Sequence, residues 1–317
     1  MILRHLEFLT ALARERHFAR AAAACKVTQS TLSAGIKQME ESLGVLLVER
    51  SQRFLGLTPE GEKVLEWAQH VITDYEGLRQ SLTEMRRGLI GNLKIGAIPV
   101  TLPIVSLLTS PFNRRHPHTT VIIRSLTSIE IQRGLDDFSL DIGITYLDNE
   151  PLARVRRLQL YTERYVLLTQ KNEKSQDRKT ITWAEAATHP LCLLTSDMQN
   201  RRIIDMHFHE AGAEVHAAIE TNSLITLWSH LRFGQWSTVV PHSFLSLIGE
   251  TDGMVALSLV EPEASHAVGL VASDRDPLPP VARAFLDVVK QFDLNHTIER
   301  QFIQEASFAK RSKRLQG

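Results

Sequence analysis

The residues best suited to chemistry begin at Gln29. From there Leu32, Ile36, Met39 and Leu43 recur at steps of four, three and four, so one face of a helix from Gln29 to about Leu43 is buried. The other face carries Gln29, Ser30, Ser33, Lys37 and Gln38. Such groups reach base edges and phosphates when a helix lies in the DNA major groove. Residues 46–57 then have hairpin character with Arg50 and Arg53 at the tip, where a wing would bring both to the sugar–phosphate backbone. Residues 1–57 hold eight Lys/Arg and five acids, a net of +3.

Other constellations do less. His207-Phe208-His209-Glu210 with His216 has metal-ligand residue types, but residues two apart on a helix face different ways, and no His pair at i, i+4 flanks a Glu. A surface helix rich in histidine is the expectation, with no metal and no cofactor. There is no glycine-rich phosphate loop and no Gly-x-Ser-x-Gly elbow, and Asp136, Asp137 and Asp141 fall at a helix end and a strand start. No enzyme is expected. Cys25 and Cys192 match no zinc spacing. Cys192 sits in an apolar run, where a thiol behaves as a small hydrophobe.

The elements that must position these groups follow from composition and periodicity. In 317 residues, 43% hydrophobic and 23% charged, Lys+Arg and Asp+Glu are both 36, which excludes disorder or a collagen-like chain but not a local basic patch. With no apolar run of membrane length and no leader-like start, a cytoplasmic protein with no membrane partner is expected. Leu3, Leu6, Phe8, Leu9 and Leu12, then Phe18 and the alanines at 21–24, give two helices ahead of a break at 26–28. The set reads as a winged helix-turn-helix over 1–57, although the same spacing fits an ordinary three-helix bundle with a solvated face.

Thr58 and Pro59 open a long helix with N-cap and N1 residues. Val64, Ala68, Val71, Tyr75, Leu78, Leu82, Met85 and Leu89 fall on it at steps of four and three, the pattern of a coiled-coil seam. Residues 58–91 are therefore expected to dimerise the chain and end in a hinge; the alternative is a helix packed on its own domain. From 93 on, short apolar runs alternate with helical stretches, an α/β pattern with a mostly parallel sheet. Strands are expected at 93–98, 121–126, 141–145, 165–168, 191–194, 215–219, 238–240 and 266–272. Helices are expected at 101–115, 128–137, 201–211, 224–233 and 280–292. The chain crosses at about 156–161 into a second lobe, about 161–265, so that 92–294 forms a two-lobed effector domain. Residues 295–317 are a basic tail.

An ordered series of motifs resembles the LysR-type transcriptional regulators. It runs through Arg16-His17-Phe18-Ala19-Arg20-Ala21-Ala22, Val27-Thr28-Gln29-Ser30-Thr31-Leu32-Ser33, Ile36-Lys37-Gln38-Met39-Glu40, Leu43-Gly44-Val45, Glu49-Arg50, Leu57-Thr58-Pro59-Glu60-Gly61 and Gly91-Asn92-Leu93-Lys94-Ile95-Gly96. His17 and Ala19 stand where the family often has hydroxyls, and Ser30 where it often has Pro; His17 can still cap the second helix. The resemblance implies that Gln29, Ser30, Thr31, Ser33 and Lys37 face double-stranded DNA and that Arg50 and Arg53 hold its backbone, with Arg20 and Thr28 completing the expected set. It also implies a periplasmic-binding-protein-type sensor, a tetramer built from two dimers, and RNA polymerase as a further partner.

Ligands of open α/β sheets bind beyond the carboxyl ends of strands, against helix N-termini. That rule selects Pro99, Val100, Thr101, Thr127, Ser128, Thr145, Tyr146, Thr195, Ser196, Asn222 and Ser223 as the effector set. Each Ser, Thr or Asn among them is also a plain helix cap by itself. Hydroxyls at helix starts suit a small anion. Two other readings stand beside this one: a cysteine-based redox regulator, and a small-molecule-binding protein whose helical head contacts a protein partner. Gln29→Ala is expected to cost ~1–3 kcal/mol of discrimination between a true site and random DNA. Equal losses on both DNAs in an anisotropy titration would show that Gln29 reads no base.

Overall fold

The computed structural model describes residues 3–50, 54–172, 175–245 and 253–298. They form two compact units, one from the chain up to Ile90 and one beginning at Gly91. The first unit contains α1 (Leu3–Glu15), α2 (Phe18–Ala24), α3 (Gln29–Leu43), the hairpin β1 (Val48–Arg50) and β2 (Phe54–Leu57), and α4 (Pro59–Arg87). Its core joins Leu6, Phe8, Leu9 and Leu12 of α1 to Ala21 and Ala22 of α2 and Leu32, Ile36 and Met39 of α3. Leu43, expected on that buried face, is 41% exposed.

The turn between helices is locally encoded. Thr28 caps α3, its Oγ1 accepting from Thr31 N at 3.2 Å, and Gly44 ends the helix in the left-handed region at φ 71°. His17 caps α2 through Nδ1, which accepts from Ala19 N at 3.2 Å. The hairpin is held from below by Glu40, whose Oε1 accepts from Leu47 N at 3.0 Å and Val48 N at 3.3 Å while the carboxylate is buried. Thr58 locks the other side: its hydroxyl donates to Leu46 O at 2.6 Å and accepts from Gly61 N at 2.9 Å. A Cβ on Gly61 would lie 2.0 Å from Leu47 O, so only glycine lets the helix start approach the hairpin this closely.

Along α4, Val64, Leu65, Ala68 and Ile72 pack on the first unit's own core. The first turns of the expected seam are therefore intramolecular, because the helix must cover α1 before it leaves the domain. Val71, Tyr75, Leu78, Leu82 and Met85 stay exposed, Met85 by 85%.

The second unit contains β3 (Gly91–Ala97), α5 (Leu102–Arg115), β4 (Thr119–Ser125), α6 (Ser128–Asp136), β5 (Ile142–Tyr146), β6 (Val155–Gln170), β7 (Thr180–Thr182), α7 (Trp183–Ala186), β8 (Leu191–Leu194), α8 (Gln199–Glu210), β9 (Ala217–Thr221), α9 (Leu224–Phe233), β10 (Thr238–Pro241), β11 (Met254–Val260), β12 (Ser265–Ser273) and α10 (Pro280–Lys290). The main sheet runs β4-β3-β5-β12-β6-β11-β7, with β10 also on β6; β8 and β9 pair separately. It is mixed rather than mostly parallel. The β3–β4, β3–β5 and β7–β11 pairs are parallel, whereas β12 and β6 run antiparallel to their neighbours β5, β10 and β11 and to each other. A chain that leaves one lobe and returns to it must lay its outgoing and incoming strands in opposite directions.

The expected crossover at 156–161 and strand at 165–168 are one strand, β6. Its first ten residues pair with β12 and its last residues with β10 and β11. β7 and β11 were not expected; β7 has three residues, and β11 buries alternate positions only at its end. α8 begins at Gln199, two residues early, because its cap Met198 supplies no side-chain signal. The tail from 299 lies outside the described residues.

Glu40→Ala removes the acceptor of two buried backbone N–H groups. We expect a cost of about 2 kcal/mol in the first unit. Amide hydrogen exchange at Leu47 and Val48 should speed up correspondingly, and unchanged protection would remove Glu40 from this role.

Candidate DNA interface and effector cleft

In the first unit, Gln29, Ser30, Thr31 and Lys37 are exposed on α3 and Ser33 is half-buried beside them. The Thr28 hydroxyl also lies 2.9 Å from Ser30 Oγ and 2.8 Å from Thr31 Oγ1, so these hydroxyls form a small network around the helix start. Lys37 pairs with Glu41 at 3.6 Å, both exposed, a contact that phosphate can displace at small cost. Arg20 is exposed and donates to Glu15 O at 2.6 Å. Arg50 closes β1; its side chain, and Arg53 altogether, lie outside the described residues.

In the second unit the expected effector residues separate. Thr127 is a capping residue: its N and Oγ1 donate to Glu130 Oε2 at 2.8 and 2.9 Å, and Glu130 N donates back to Oγ1 at 3.2 Å. Ser223 caps α9, accepting from Thr226 N at 3.3 Å. Thr101 is fully buried and donates to Ile98 O at 2.9 Å, within a 3-10 turn that also buries Pro99 and Val100. Ser196 and Asn222 are exposed. Ser128 lines a cavity of about 370 Å³ with Gln132, Arg133 and Glu150.

Thr145 and Tyr146, at the carboxyl end of β5, are brought to the start of α8. Thr145 Oγ1 donates to Gln199 Oε1 at 2.9 Å, Gln199 Nε2 donates to Asn149 O, and Asn200 Nδ2 donates to Tyr146 Oη at 2.8 Å. Gln199 and Asn200 are almost fully buried. Beside them, Thr195 Oγ1 and Asn149 Oδ1 are buried with no hydrogen-bond partner. Two unsatisfied groups next to a helix N-terminus mark a place where a polar ligand gains contacts without displacing existing ones. The nearby arginines are already engaged. Arg201 donates to Glu220 at 2.7 Å and to Asp205 at 2.8 Å, and Arg202 to Glu150 at 2.6 Å.

Behind this cluster is a residue that sequence reasoning missed. Glu163, in the middle of β6, is fully buried; Tyr146 donates to its Oε1 and Tyr161 to its Oε2, the latter at 2.9 Å, while Tyr165 Oη donates to Tyr146 Oη at 3.2 Å. Burial pushes the Glu163 carboxyl up to about 7 against the pull of the two phenols, and the Asp148 charge adds to the rise. Burial and the neighbouring carboxylate hold all three phenols well above the usual tyrosine range. The signal was the alternation Tyr161, Glu163, Tyr165, which puts three polar side chains on one face of a strand. Gln199 and Asn200 left a weaker one, because neither residue type announces burial.

The cysteines are both free. Cys25 is half-buried and Cys192 fully buried. Burial raises both thiols, and for Cys25 the Glu7 charge raises it further. Among the described residues no three His, Cys, Asp or Glu side chains could hold a metal ion, and no helix is long and apolar enough to cross a membrane. His207, expected on a surface helix, is instead buried, because α8 turns that face toward β12.

A winged helix-turn-helix with an α/β ligand-binding domain defines a DNA-binding transcriptional regulator with an effector-binding domain. The family model for the bacterial regulatory helix-turn-helix protein of the lysR family matches residues 3–62, and that for the LysR substrate binding domain matches 86–293. The chain belongs to the LysR family. It is similar to the DNA-binding transcriptional dual regulator OxyR of Escherichia coli K12, at 30% identity over 88% of this chain and 91% of the relative. A hydrogen peroxide-inducible genes activator of Pectobacterium carotovorum is 28% identical over 92% and 96%. A full-length OxyR variant of Pseudomonas aeruginosa superposes with a TM-score of 0.75 at 26% identity, covering 93% of this chain and 97% of that one. CbnR in complex with its target DNA shares the fold, with a TM-score of 0.63 at 20% identity over 92% and 99%.

The Glu163 shift has a defined pH signature. A folded-state pKa raised to about 7 means that the contribution is fully present below the ordinary carboxylate value and is lost as pH rises through 7. Relative to Glu163→Gln, the native chain should lose up to about 3 kcal/mol between pH 5 and pH 8. Parallel stability–pH curves for the two proteins would place Glu163 in solvent contact.

Proposed function

We propose that the chain controls transcription in response to a small polar effector, most simply a small monoanion, bound between β5 and the N-terminus of α8. The observation that carries this reading is the unpartnered buried Thr195 hydroxyl, which can donate to an anion, beside Thr145, Gln199 and Asn200, while the unpartnered Asn149 Oδ1 can accept from a hydroxyl hydrogen on the effector. Backbone N–H groups at the start of α8 supply the positive end, and the buried Glu163 carboxyl behind them disfavours a dianion. Residues 1–57 read DNA through Gln29, Ser30, Thr31, Ser33 and Lys37 with Arg20, Arg50 and Arg53 on the backbone. Residues 58–91 pair two chains through the exposed stripe from Val71 to Met85, and two such dimers form the tetramer. Residues 92–294 sense the effector, with RNA polymerase as the downstream partner and no catalysis. Ligand favours one arrangement of the lobes and so changes the spacing of the DNA-reading heads.

The similarity to hydrogen peroxide-inducible activators supports a redox reading as well. The chain's own thiols argue against one that runs through them, because burial favours the protonated, unreactive form.

Fluorescence anisotropy on DNA from immediately upstream of the protein's own gene, against scrambled DNA over a salt series, tests the reading. Tight, salt-steep binding with preference for the upstream DNA is expected, shifted by a member of a small-anion panel and lost in Leu82→Glu. Equal binding to both DNAs, or a response to peroxide but to no anion, would replace it.

A further inference from the structure

His207 of α8 and His266 of β12 meet with their Nε2 atoms 2.9 Å apart. Each ring is anchored on its other side: His207 Nδ1 lies 2.8 Å from Glu210 Oε2, and His266 Nδ1 lies 3.3 Å from Asp148 Oδ1. Both side chains are largely buried, 8% and 11% exposed. The hydrogens can be counted. An ionised carboxylate only accepts, so each Nδ1 carries a hydrogen. Two Nε2 atoms at 2.9 Å can be neither two lone pairs nor two N–H groups, so one hydrogen lies between them. Three hydrogens on four nitrogens give the pair a single positive charge between two carboxylates.

We propose that His207 and His266 form a proton-controlled latch that ties α8 to β12 with three hydrogens and opens when a fourth arrives. The fourth proton sets N–H against N–H and doubles the charge in a half-closed site. Asp148 Oδ2 also accepts from Ala267 N at 2.9 Å, so it is fixed to the same strand and cannot follow a departing ring. The other groups facing the pair are aromatic: Trp183 stacks 5.2 Å from His207, Tyr165 stands 6.2 Å from both rings, and Tyr146 6.0 Å from His266. Glu163, opposite His266 in the strand register, is occupied by Tyr146 and Tyr161. Burial pushes the His207 pKa down, Glu210 pulls it partly back, and the charge on His266 pushes it down again. With three hydrogens the folded pair holds one ionising proton, as two free imidazoles of pKa about 6.5 together do at pH 6.5; below that pH the unfolded chain takes up more, so the stability the latch contributes is lost as pH falls from about 6.5. Acid therefore opens the latch. A metal ion between the rings fits less well. Bonds of about 2.0 Å in tetrahedral geometry need the nitrogens roughly 3.3 Å apart, and no third ligand stands among the described residues.

The latch acts on the helix whose N-terminus forms the proposed effector site, two turns away from His207, yet it stands without that reading because its test needs no effector. Full-length protein carrying Glu163→Gln, which removes the carboxyl titration, is compared with the same protein carrying His266→Gln as well. A glutamine amide can donate to or accept from His207 in either protonation state. Between pH 6.5 and 5.0 the thermal midpoint of the first protein should fall by roughly 2–4 °C more than that of the second. In the native chain, imidazole nitrogen-15 spectra at pH 7.5 should show both Nδ1 atoms protonated and a single hydrogen between the Nε2 atoms. Equal pH slopes, an unprotonated Nδ1 on either ring, or one equivalent of Zn²⁺ bound by the native chain and lost with His266→Gln would each overturn the proposal.

Discussion

The second unit depends on one strand that joins the two halves of its main sheet. β6 runs sixteen residues without a break, pairing with β12 over its first part and with β10 and β11 over its last. Because a strand transmits its twist and register along its whole length, the two lobes cannot be repacked independently at this point. The polar side chains that face each other across the lobes are mounted on this strand, on its partner β12 and on the end of β5. Glu163 sits fully buried at the changeover, and three tyrosines and an asparagine form the hydrogen-bond network around it. A buried network of this kind must be satisfied as a whole, since each unpaired member would carry its full desolvation cost.

The first unit solves a different problem. A helix-turn-helix needs its reading helix exposed, which leaves little apolar surface to hold the wing. The wing is therefore held by polar bonds as well as by burial of Leu47 and Val48 in the core. Glu40 takes two backbone N–H groups from beneath, Thr58 grips Leu46, and Gly61 lets the start of α4 approach Leu47 closely. Glu40 illustrates how a residue's role can invert on folding. It is one of two adjacent acids near the end of α3, but the turn after Gly44 folds the chain back over it.

The same contrast explains which site residues could be read in advance. Caps are local: Thr28, Thr58, Thr127 and Ser223 bond to backbone three residues on, and the pattern of a hydroxyl before a helical run identifies them. For Thr127 and Ser223 that local bond accounts for the hydroxyl, and the ligand-facing role assigned from strand ends is not needed to explain it. Gln199 and Asn200 reach Thr145 and Tyr146 across more than fifty residues of chain, and no local spacing announces such a meeting. The histidines of α8 fared similarly. His207 looked like one of several surface imidazoles until β12 came to face it.

What the sequence determined by itself was the order and type of most elements, the polar face of α3, the apolar stripe of α4 and the family motifs, because periodicity, capping and turn chemistry act within a few residues. What only the tertiary structure decided was the direction of the crossover strands, the split of α4 between its own core and open surface, and the buried polar groups between the lobes. Those depend on contacts between residues far apart in the chain, where burial turns an ordinary Glu or His into a perturbed one.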